Sequence, residues 1–107
     1  MDASIKIMQG DQYPIPITIT DQAGTIITDV EVRDVEIIIG NYRKTMPEIT
    51  FNAETGAWEF PLTQQETFRF NSQNARVQVR VAFSNGDVVG VETECIVVVR
   101  SASKEVL

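Results

Sequence analysis

Val77-Gln78-Val79-Arg80-Val81-Ala82-Phe83-Ser84-Asn85-Gly86-Asp87-Val88-Val89-Gly90-Val91 alternates apolar with other residues on both sides of a short turn sequence. A period of two is the mark of a half-buried strand, whereas a helix would repeat near 3.6. The pairing of the two arms can be worked out, because residues directly opposite in an antiparallel pair share a face. A two-residue turn at Asn85-Gly86 sets Val81 against Gly90 and Val77 against Glu94, an apolar row against a largely polar one. A three-residue loop, Ser84-Asn85-Gly86, instead pairs Val81 with Val89, Val79 with Val91 and Val77 with Thr93. The second register matches the apolar rows. It predicts a type I turn closed by a bulge, with Gly86 at positive φ.

The same reasoning extends upstream. A four-residue loop, Ala53-Glu54-Thr55-Gly56, pairs Phe51 with Trp58 and Ile49 with Phe60, with Gly56 as the left-handed residue. Ile5 and Ile7 begin a first strand that ends at Gly10-Asp11, and Ile15, Ile17 and Ile19 alternate in a second. Pro14 and Pro16 lie on the other face of that second strand and remove ladder donors, which suits a sheet edge. Asp21 to Gly24 reads as a turn. Val35, Ile37 and Ile39 make a central strand, and Val89 to Val99 carry the last one through Thr93, Cys95 and Val97. Thr63 followed by Glu66 is the capping-box spacing, which predicts one helical turn over residues 64–67. The expected fold is an all-β, immunoglobulin-like antiparallel β-sandwich of seven or eight strands, with that single helical interruption. Residues 1–100 form the domain and residues 101–107 a flexible tail without pattern.

Composition narrows the function. The chain of 107 residues contains no histidine, which removes the commonest general base and the commonest zinc ligand. Its one cysteine, Cys95, falls in the apolar phase of the last strand, where a buried thiol is a poor nucleophile. It has no internal partner for a disulfide, so packing must hold the fold. Net charge is −6 with the basic residues scattered, which disfavours nucleic acid and anionic membrane as partners. No apolar run approaches the length of a membrane span, and Met1-Asp2-Ala3-Ser4 shows no signal-peptide character, so a soluble protein made in the cytoplasm is expected.

The candidate acid pairs are Glu31 with Asp34, and Glu92 with Glu94 on the outer face of the last strand. Solvated surface is the simpler reading of both, and no phosphate loop or nucleophile elbow accompanies them. Asp21, Asp29, Glu31 and Asp34 lie near predicted loops but fit no calcium-loop spacing, so turn-forming roles are expected. Catalytic residues, metal ligands and cofactors are all expected to be none. Trp58, Phe60 and Phe83 occupy the inward phase as core, which leaves only Tyr13 and Tyr42 for a carbohydrate platform. Ile38, Tyr42, Ile96 and Val98 fall in the phase opposite to the core. If the third and last strands share a sheet, these four form an exposed apolar patch of the kind that marks protein contacts.

In order along the chain, Gln9-Gly10-Asp11, Pro14 to Thr20, Asp21 to Gly24, Thr55 to Thr63, Glu66-Thr67, Val77 to Phe83, Asn85 to Val88 and Ile96 to Val99 resemble the immunoglobulin-like domain of tailed-phage structural proteins. The type in question opens phage baseplate upper proteins. The chain departs from it at Asn71-Ser72-Gln73-Asn74, where such domains often place a Pro-Gly turn. The cysteine pair and third-strand tryptophan of antibody domains are also absent. The resemblance implies a virion component of a phage or prophage tail or baseplate, docked to other tail proteins or to copies of itself. A carbohydrate-binding or adhesive module is the alternative.

Overall fold

In the computed structural model the valine rows meet as the hairpin register requires, and the rest of the chain is arranged round them. The structure describes residues 5–21, 23–70 and 74–99, without the side chains of residues 5, 74 and 91–99. Among the described residues, eight strands and one short helix follow in the order β1 (Ile5–Met8), β2 (Tyr13–Ile17), β3 (Val32–Ile39), β4 (Tyr42–Thr45), β5 (Thr50–Asn52), β6 (Ala57–Leu62), α1 (Gln64–Phe68), β7 (Asn74–Phe83) and β8 (Val88–Val99). The expected tail, 101–107, and Asn71 to Gln73 lie outside the described residues.

One sheet has the order β1-β8-β7-β3-β4 and the other β2-β6-β5. This is an all-β sandwich, and its partition of strands is the one immunoglobulin-like domains make between their C, F, G and B, E, D strands. All pairs are antiparallel except β1 with β8, which run parallel with Ile5 opposite Ile96 and Ile7 opposite Val98. This departs from the wholly antiparallel sandwich that the sequence pattern predicts. The first strand instead enters beside the last one after a crossover of the whole chain.

The core forms where the apolar rows of the two sheets face each other. Val35, Ile37 and Ile39 stand opposite Val81, Val79 and Val77, and all six are buried. From the other sheet come Ile15 opposite Phe60 and Ile17 opposite Trp58, again all buried. Burying each such side chain contributes roughly 1.5–3 kcal/mol, so these rows set the pairing. Both predicted hairpins are present. Val81 faces Val89 and Val79 faces Val91, with Gly86 at φ 101°. Phe51 faces Trp58, with Gly56 at φ 74° and its N–H on the Asn52 carbonyl at 2.8 Å.

Two bulges break the period. In β3, Arg33 is the extra residue between Val32 and Asp34, so Val32 and Val35 are both buried although three apart. Between β7 and β8 the register shifts: Gln78 faces Glu92 but Arg76 faces Cys95, leaving Thr93 and Glu94 opposite Val77 alone. The expected pair Val77–Thr93 is therefore replaced by a two-on-one bulge, which shifts the register of β8 beyond it.

Strand β4 has no alternating apolar signal and is held by its neighbours instead. Tyr42 pairs with Ile39, and Lys44 pairs with Ile37 on the core side. The Lys44 ammonium reaches the Pro61 carbonyl at 2.6 Å and lies 5.2 Å from the centre of the Phe60 ring. An inward-pointing charge on an edge strand discourages further pairing. Strand β2 is also an edge, as Pro14 and Pro16 predicted, and Pro14 sits directly opposite Pro61, where neither residue has a donor to offer. Among the described residues no helix is long and apolar enough to cross a membrane.

Candidate functional site

Of the four residues expected to form an outer apolar patch, the structure describes the side chains of two, Ile38 and Tyr42, and these two do not share a face. Ile38 stands on the outer face, half-buried between its register partners Arg43 and Gln78. Tyr42 belongs to the core side, since it faces Ile39; its ring packs edge-on against Phe70 at 5.6 Å, and its hydroxyl donates to the Glu66 carbonyl at 3.3 Å. The two-residue connection Gly40-Asn41 puts Tyr42 in the row of Ile39, not of Ile38. The side chains of Ile96 and Val98 lie outside the described residues. Their backbone positions pair with Ala75 and Ile7, beyond the register shift in β8. Cys95 is paired in register with Arg76, and its side chain also lies outside the described residues.

The acidic candidates work locally. One Asp21 oxygen accepts the N–H groups of Ala23 and Thr25, both at 2.9 Å, and so builds its turn. Glu31 accepts the Thr28 N–H at 3.1 Å and Asp34 its neighbour Val35's at 2.9 Å. Among the described residues no group of three or more potential metal ligands gathers. The side chains of Glu92 and Glu94 lie outside the described residues, and Glu94 falls within the register shift of β8. Tyr13 and Tyr42 sit in different sheets, so they do not make one platform. Burial, and then the Asp11 carboxylate, raise the Tyr13 pKa above the usual phenol value.

What the structure does assemble lies at one end of the sandwich. Strands β3, β7 and β8 meet there near the Ser84–Gly86 turn, whose first N–H donates to the Glu31 carbonyl at 3.1 Å. The chain between β2 and β3 crosses the same end. It is held by an isolated bridge between Thr20 and Ile26, by the Ile27 N–H on the Ile19 carbonyl at 2.8 Å, and by Trp58 Nε1 donating to the Ile27 carbonyl at 3.1 Å.

Between this chain and the β7–β8 hairpin opens a groove of about 460 Å³, lined by Ile19, Thr20, Asp21, Ile27, Val81, Phe83 and Val89. Phe83, expected wholly in the core, is only half-buried because it forms part of this wall. Val30 is 86% exposed and Val89 47% exposed at the same end, with Ile26 and Val88 also exposed.

No family model, curated protein or solved structure matches the chain.

The groove is apolar on its floor and walls, with Thr20 and Asp21 as its polar members. Such a surface gains free energy by covering apolar area, in the manner of a binding cleft. It was not legible in the sequence. Ile19, Ile27 and Val81 read there as ordinary core residues, and only the gap between two sheet edges makes a groove of them.

Proposed function

We propose that this chain is a non-catalytic structural and interaction module, a component of a phage or prophage tail or baseplate that acts through protein–protein contacts. One observation carries the interaction reading: an apolar groove and four exposed aliphatic side chains are concentrated at a single end of the sandwich. The virion assignment rests on the resemblance carried by the turn and strand motifs from Gln9 to Val99. A carbohydrate platform has less support, since Tyr42 is held by Phe70 and Glu66.

The virion reading is tested by purifying tailed particles from a lysed culture of the host that carries the gene. Mass spectrometry should find the chain in fixed proportion to the tail proteins. Its absence from particles that carry complete tails overturns the assignment.

A further inference from the structure

The segments that frame the groove are 19–33 and 83–89, and their charge is one-sided. Asp21 lines the groove itself. The Asp87 carbonyl accepts the N–H of Phe83, in the groove wall, at 2.8 Å, and the Glu31 carbonyl accepts that of Ser84. Asp29 is exposed beside Val30. Against these four acids the two segments contain a single cation, Arg33. Among the described residues none of the four takes part in an ion pair. Arg43 and Arg80 have acids of their own: they share a depression on the outer face of the large sheet with Asp34 and Glu36, two cations with two acids.

The apolar surface extends past the groove. Val30 lines no part of it and is 86% exposed, so a small molecule seated in the groove leaves Val30 in water. A protein surface covers both. An apolar centre inside a charged rim is also the anatomy of a protein–protein contact.

We infer that this end of the sandwich docks a basic segment of a partner protein. That segment seats bulky apolar side chains in the groove and against Val30, and sets Lys or Arg against Asp21, Asp29, Glu31 and Asp87. The proposal rests on the reading of the chain as an interaction module and names the chemistry of what it binds. The groove selects apolar anchors, and the acids select the charge beside them. A second copy joined through the same end would set four acids against four, which is unfavourable.

The test is a nitrogen–proton NMR titration of the intact protein with the peptide Lys-Lys-Leu-Phe-Leu-Lys-Lys. Controls replace its lysines with glutamates, or its leucines and phenylalanine with alanines. The basic peptide should shift amide signals within 19–33 and 83–89, and binding should weaken with added salt. Both controls should lose about tenfold or more in affinity.

Val89→Asn, in the groove wall, should lose about tenfold in affinity for the basic peptide. Asp29→Lys should weaken that peptide about threefold or more and improve binding of the glutamate peptide. Glu48→Lys makes the same charge change outside both segments and should stay near the parent. All three residues are exposed, so the variants should keep the parent circular-dichroism spectrum. Failure of the basic peptide to bind, equal binding of the glutamate peptide, or equal effects of Asp29→Lys and Glu48→Lys overturns the inference. So do concentration-dependent shifts of the same amides without peptide, which would make a second copy the occupant. The particle experiment stands apart from this: a chain found in tails without peptide binding removes the basic-partner proposal alone.

Discussion

At the end of the sandwich that carries α1, hydrogen bonds tie together segments more than fifty residues apart, and at the opposite end such ties are few among the described residues. Gln9 Nε2 donates to the Phe70 carbonyl at 2.9 Å, and Gln64 Nε2 to the Gly10 carbonyl at 3.0 Å. The buried Thr67 hydroxyl accepts the Gly10 N–H at 2.8 Å and donates to the Asp11 carbonyl at 2.9 Å. The capping box of Thr63 and Glu66 starts the helix that presents these groups. At the far end the corresponding contacts are the Trp58 bond to Ile27 and the Ser84 bond to Glu31, beside an open groove. A domain that must hold its shape while offering a surface does well to divide the tasks this way, because binding regions are drawn from the less stable parts of a fold.

The comparison can be broken most forcefully at Trp58, which is core for the whole molecule and also the anchor of the open end. Trp58→Ala should cost about 3–5 kcal/mol in urea unfolding, by loss of buried volume together with the bond to Ile27. At the latched end, Thr67→Val keeps the shape but strips partners from the Gly10 N–H and the Asp11 carbonyl. A cost of about 1–3 kcal/mol is expected, with faster exchange of the Gly10 amide. Thr63→Ala removes the helix cap alone and should cost about 1 kcal/mol by the same measurement.

On the open end, Val30→Ser should shift stability by no more than about 0.5 kcal/mol, since the side chain is 86% exposed. A loss of several times that would show that folding leans on the open end no less than on the latched one. The smallest effect concerns Tyr13, beside the latch. Its phenol is harder to ionise in the fold than in the unfolded chain, chiefly through burial and then through Asp11. Its contribution to stability is therefore intact below the usual phenol pKa and declines as pH rises through the folded value. Ultraviolet titration should place this tyrosine above the unfolded value, with part of the shift removed by Asp11→Asn.

The residues themselves determined which segments pair and how they turn. Alternation at Val77, Val79 and Val81 and at Val35, Ile37 and Ile39 dictates strands with one greasy face, and Gly56 and Gly86 dictate where two hairpins close. Prolines 14 and 16 mark an edge, and Thr63 with Glu66 marks a helix start, because each acts through its own backbone or a neighbour three residues on.

Three things belonged to the tertiary structure alone. The β8 bulge shifted the register, so that Arg76 pairs with Cys95 and Ala75 with Ile96. Strand β4 formed on pairing with β3, without a pattern of its own. The groove arose where two sheet edges stand apart. Period and turn chemistry are local, whereas an inserted residue in a ladder, a borrowed strand and a gap between layers depend on what distant segments do.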